Sequence, residues 1–166
     1  MKEQTELAGK PKDNLRAMRI LTAALSIGVV FFTLVVVFVN QLTKTPPLAN
    51  SELLADNNTS LGIVAIIGSA CIAGARLLYK KRITAIKQSG KSLNDKLGQY
   101  RTALILYLAI CEAAAMFSVI FFFLTGNFVI LAVTGLMLIM MLSKIPVPGR
   151  LIRELDLDWK EQQELE

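Results

Sequence analysis

Along this chain charged residues almost vanish from four long blocks, Ile20 to Val39, Leu61 to Tyr79, Thr102 to Leu124 and Phe128 to Ser143, and crowd into the segments between them. A hydrocarbon layer about 30 Å thick excludes charge over just such lengths. Backbone groups inside it find no water, so blocks of this length must bond their own amides and carbonyls within helices; a membrane strand would be about ten residues of alternating polarity. The pattern predicts an all-α polytopic membrane protein, one domain over residues 1–166, with four transmembrane helices at about 20–39, 61–79, 102–124 and 128–143. The fourth block is the shortest. Lys144 can snorkel from its end, and Pro146 and Pro148 then stop the helix. The first block could be confused with a signal core, but its twenty apolar positions exceed the usual length of about 7 to 15, and no small-x-small site follows directly.

The polar segments orient these spans, because short loops rich in Lys and Arg stay on the cytoplasmic side. Five basic residues (Lys2, Lys10, Lys12, Arg16, Arg19) precede the first span, whereas the loop from Gln41 to Ser60 holds only Lys44, with Glu52 and Asp56. Eight basic residues lie between Arg76 and Arg101 against Asp95 alone. The Thr125-Gly126-Asn127 turn is uncharged, and four basic residues follow from Lys144. The alternation predicts that 1–19 and 144–166 are cytoplasmic.

The loops carry their own signals. Pro46-Pro47 and Asn57-Asn58-Thr59-Ser60 read as irregular outer chain, and Asn57 and Asn58 each head an N-x-Ser/Thr sequon. Leu77, Leu78, Ile83 and Ile86 can extend the second helix beyond the bilayer. Ser92 followed by Asp95 resembles a capping box that starts the third helix near Leu93, with Leu97 on its inner face. Spans two and three therefore form one long helical hairpin with a cytoplasmic tip at Gln88-Ser89-Gly90-Lys91. Leu151, Ile152, Leu155 and Trp159 share a helical face, which predicts either an amphipathic helix resting at the interface or a loosely docked tail.

Composition agrees with a membrane protein: 54% of residues are hydrophobic and the mean hydropathy is +0.52. The net charge of +5 sits where orientation requires it, which removes the case for a nucleic-acid partner and leaves anionic lipids at the basic cytoplasmic loop as the expected contact. The chain has no His, no Gly-rich phosphate loop and no nucleophile beside a base, so neither enzyme catalysis nor a cofactor is expected.

The sharpest chemical signal is Glu112, ten residues into the third block and so about 15 Å deep at about 1.5 Å per residue. An acid at mid-bilayer costs of the order of 2.5 to 3.5 kcal/mol on insertion scales, and such residues usually face a bundle interior and serve ion or proton paths; the plainer role is a neutral carboxyl cementing helix packing. Equal depth nominates Ser69 and Thr134 as partners in a proton or ion site. Gly68, Ala70 and Gly74 on the second helix, with Ala113 and Ala115 on the third, form small-residue surfaces that permit close helix packing around Glu112. Cys71 and Cys111 fall at a similar depth, but two thiols without His make no metal site, and both read as free buried cysteines.

Leu108-Ala109-Ile110-Cys111-Glu112-Ala113, followed by Met116-Phe117, resembles the carboxylate-bearing helix of the rotary ATPase proteolipid, the c-ring subunit. The resemblance covers residues 61–124. It implies a hairpin in which Glu112 binds the coupling ion and the run Gly68 to Ala75 stands for the small-residue helix. The first and fourth spans have no counterpart in a two-helix proteolipid, and the tip reads Lys87-Gln88-Ser89-Gly90 in place of that family's Arg-Gln-Pro or Arg-Asn-Pro. The expected function is a small membrane subunit, in a homo-oligomer or with other membrane subunits, whose Glu112 handles protons or cations. The alternatives are a non-transporting accessory or scaffold subunit and a small proton-coupled exporter. The expected location is a bacterial inner membrane.

Overall fold

The computed structural model describes residues 11–43, 56–90, 92–157, 159 and 162. Among them there is no strand. The elements are α1 (Pro11–Thr43), α2 (Asn57–Lys87), α3 (Leu93–Thr125), a 3-10 turn (Phe128–Ile130), α4 (Leu131–Leu142) and α5 (Pro148–Leu155). Three of the four expected blocks become helices long and apolar enough to cross a membrane. The fourth, Phe128–Leu142, is shorter. At about 2.0 Å per residue for its 3-10 turn and about 1.5 Å for α4 it reaches about 24 Å, less than a hydrocarbon core of about 30 Å.

The helices also run past the blocks that predicted them. At 33, 31 and 33 residues, α1, α2 and α3 are each about 45 to 50 Å long at about 1.5 Å per residue, well beyond the apolar layer. The start of α2 corrects the expectation of irregular chain through Ser60: Asp56 caps it, its Oδ2 accepting from the Thr59 amide at 3.0 Å and the Thr59 hydroxyl at 2.7 Å. Those bonds, the hydroxyl's first, hold the Asp56 carboxyl below its ordinary pKa. Pro46 and Pro47 lie outside the described residues.

The hairpin tip follows the turn chemistry. Gln88 ends α2, Gly90 takes a left-handed φ of 56°, and Ser92 caps α3, which begins at Leu93. Ser92 Oγ accepts from the Asp95 amide at 3.4 Å and donates to the Asp95 carboxylate at 2.7 Å. Lys91 lies outside the described residues. At the far end Gly126, with φ 71°, closes α3 by donating its amide to the Phe122 carbonyl at 2.8 Å.

Faces are arranged as lipid, not water, would require. On α1 the stripe Ile27, Phe31, Leu34 and Phe38 is 62 to 68% exposed, while Thr22 and Ser26 are buried. Each of these two buried hydroxyls donates to the carbonyl one turn back, Thr22 to Met18 and Ser26 to Thr22, both at 2.9 Å, so neither is stranded. An apolar stripe this long on a soluble surface would drive aggregation. α3 is the central helix: 44% of its apolar window is buried, against 17% for α1 and α2, and it packs against α1, α2 and α4.

The largest core cluster runs from the basic end along α3 as far as Cys111. Leu15 and Met18 of α1, Ile83 and Ile86 of α2, and Leu93, Leu97 and Tyr100 of α3 close over Leu151 and Leu155 of α5. The amphipathic tail is thus docked into the bundle. Trp159 leaves the face it was expected to share and is exposed, because Asp156 turns left-handed (φ 53°) and ends α5 at Leu155.

Candidate functional site

Glu112 is half-buried midway along α3. Among the described residues its carboxylate has neither a hydrogen-bond nor an ion-pair partner. The face around it carries the exposed small residues Ala109 and Ala113, one turn apart. Ser69 is exposed on α2 and donates to the Ile66 carbonyl at 2.9 Å. Thr134 is buried on α4, and its hydroxyl is the buried side-chain oxygen left without a partner among the described residues.

The small residues divide between two faces. Gly68 is buried where α2 meets α4: a Cβ there would stand 3.0 Å from Val133 Cγ1 and 3.6 Å from Met137 Cε. Ala115 is buried beside Val29, Ala114 and Met137. Ala70 and Ala113 are exposed, and Gly74 is half-buried with open space at its Cβ position. Cys71 and Cys111 are free, and among the described residues no group of His, Cys, Asp or Glu could hold a metal ion.

A second constellation stands at the basic end. It unites all three tyrosines of the chain. Tyr100 and Tyr107, two turns apart on α3, face Tyr79 of α2 edge-on, with ring centroids 6.4 and 5.5 Å away. The Tyr79 and Tyr100 hydroxyls are 3.3 Å apart; Tyr79 donates to Glu154 of α5, and Tyr100 reaches the same oxygen at 3.3 Å. The other carboxylate oxygen takes Lys144 at 3.4 Å and Arg150 at 3.6 Å. The Lys144 ammonium lies 4.1 Å from the Tyr79 ring centroid and 5.8 Å from that of Tyr107. Arg19 of α1 locks the adjoining turn, its Nε donating to the Pro146 carbonyl at 2.8 Å.

Beside this network opens a cavity of about 660 Å³ between α2, α4 and α5. Five of its lining residues are cations, Arg76, Lys80, Lys87, Lys144 and Arg153, against one carboxylate, Glu154. Sequence reasoning named Lys144 only as a snorkelling group, counted Arg76 among the basic residues that orient the spans, and assigned no site role to Tyr100, Tyr107 or Glu154. The available signal was that every tyrosine sits within the basic segment or a turn or two of it. No family model, curated protein or solved structure matches this chain.

Proposed function

We propose that this chain is a four-span membrane subunit, with both ends cytoplasmic, that works in a homo-oligomer or a larger membrane complex and uses Glu112 to exchange a proton or cation where it meets a neighbouring subunit. The observation that carries the reading is the half-buried, partnerless carboxylate of Glu112 midway along the central helix. A charge in that position is costly, so a group retained there needs a partner from outside the chain or a proton. Ala109 and Ala113 leave room for a second helix to approach closely. The basic residues at the tip and near both ends support the orientation, and a fourth span of about 24 Å is accommodated by local bilayer thinning.

A second reading, an accessory subunit that transports nothing, draws on the dense polar network at the basic end, in which Glu112 takes no part. There Glu112 would serve only to hold a partner helix.

Lipid vesicles containing wild type or Glu112→Gln separate the two. Loss of pH-driven proton or cation flux, with the unfolding midpoint retained, supports exchange at Glu112. Absence of flux from both folded proteins leaves the accessory role.

A further inference from the structure

The cavity beside the tyrosines has a charge balance that the chain does not complete. Its one carboxylate, Glu154, is already engaged by Lys144 and Arg150 and by two tyrosine hydroxyls. Arg76, Lys80 and Lys87 have no carboxylate within ion-pairing distance among the described residues. These three rise along one face of α2 at intervals of four and seven residues, with Thr84 between them. Like charges one turn apart destabilise a helix by a few tenths of a kcal/mol, so the stripe is unfavourable until an anion lies along it.

Shape and place narrow the class of anion. The cavity volume falls within the range of about 300 to 1,000 Å³ common for small-molecule sites. Its deeper wall is apolar and aromatic, from Ile83, Tyr107 and Met140, and its rim is cationic. The wall belongs to helix turns at the end of the apolar blocks, since α4 stops at Leu142 and the cation Lys144 follows at once. Such a site at the boundary between hydrocarbon and water suits a phosphate whose attached chains continue into the apolar layer. Arg76 and Arg153 add the planar donor pattern that grips phosphate oxygens in pairs.

We infer that the cavity bounded by Arg76, Lys80, Lys87, Lys144 and Arg153 is a binding site for a phosphate group bearing two or more negative charges, presented on a lipid headgroup or free in solution. It rests on the membrane reading above and not on any role of Glu112. Three unpaired cations match more than one negative charge; Arg153 of α5 adds a fourth cation at the rim, and Lys144 adds charge while paired with Glu154. The site goes beyond diffuse attraction of a basic loop to anionic lipid because Lys81 and Arg101, equally charged and exposed, lie outside it.

The test uses the full chain in nanodiscs of neutral phosphatidylcholine, with phosphatidic acid added to the bilayer in one arm and pyrophosphate to the buffer in the other. The reading is the concentration-dependent rise in unfolding midpoint, converted to an apparent affinity. Stabilisation by phosphatidic acid that pyrophosphate does not reproduce assigns the lipid as source; stabilisation by pyrophosphate assigns a soluble anion. Arg76→Gln with Lys80→Gln should weaken binding by about tenfold or more, while Lys81→Gln with Arg101→Gln, an equal loss of charge, should leave it near wild type. Should the first pair fail to fold, Lys87→Gln with Arg153→Gln at the exposed rim takes its place. No stabilisation in either arm, or equal weakening by pocket and control pairs, overturns the site. Glu112→Gln should bind as wild type does, so a failed flux experiment and a failed binding experiment remain separate results.

Discussion

The Tyr79 hydroxyl donates to the Glu154 carboxylate and so joins α2 to α5 across 75 residues of chain. The same carboxylate receives Tyr100, Lys144 and Arg150, which brings α3 and the turn after α4 into one junction. This junction fixes the tail against the hairpin and sets one wall of the cationic cavity.

Tyr79→Phe keeps the ring under Lys144 and beside Tyr107 but removes the donor. Hydrogen bonds to charged groups are worth about 1.5 to 3 kcal/mol, so the variant should lose about that much stability in denaturant unfolding. An unchanged midpoint would show that Tyr100 alone satisfies Glu154.

Glu154→Gln tests the junction and the cavity together. It removes the negative charge and leaves one acceptor oxygen where four donors now share two, so α5 should exchange its amide hydrogens faster, reflecting a loss of about 1 to 3 kcal/mol. The same change frees Lys144 for an anion, so pyrophosphate or phosphatidic acid should bind several-fold tighter in the nanodisc measurement, by about 1 kcal/mol per freed cation. Weaker binding would mean that Glu154 orders the cavity more than it competes for its charge.

Gly68 has no room to grow. Its Cβ position lies 3.0 Å from Val133 Cγ1, whereas at Gly74 the same position meets open space. Gly68→Leu should destabilise the bundle by about 1 to 3 kcal/mol through overpacking, and Gly74→Leu should not. Equal tolerance at both positions in a detergent unfolding assay would contradict the close approach of α2 to α4.

Asp56 gives the chain a pH-sensitive helix start. Its folded pKa is depressed by the Thr59 hydroxyl and amide, so the cap contributes at pH values above the ordinary 3.8 and is lost as pH falls below that value through the folded pKa. Hydrogen exchange at the Thr59 and Ser60 amides should lose protection over that acid window. Asp56→Ala should show the fast exchange already at neutral pH, and protection that survives in this variant would assign the helix start to other contacts.

How far the sequence could be read follows from which interactions are local. The helix at Leu93 was legible because Ser92 and Asp95 are three residues apart, and the stop at Gly126 because a left-handed turn favours glycine. Asp56 was equally local, yet the Asn57-Asn58 run looked like loop. Depth could be counted at about 1.5 Å per residue, and that placed Ser69 level with Glu112. Rotation about the helix axis could not be counted, and Ser69 lies exposed with its hydroxyl turned to Ile66.

What the sequence determined by itself is the one-dimensional part of this protein: which stretches are long and apolar enough for hydrocarbon, where α3 begins, and which segments carry positive charge. Exclusion of charge from an apolar layer and capping of helix ends act within a few residues and leave their mark in sequence order. The tertiary structure alone decided that α5 docks beneath the hairpin, that Gly68 meets α4, and that Tyr79, Tyr100, Lys144 and Glu154 form one network beside a cationic cavity. Those pairings join residues dozens of positions apart, and they depend on how each helix is rotated against its neighbours, which packing fixes only when the whole bundle has assembled.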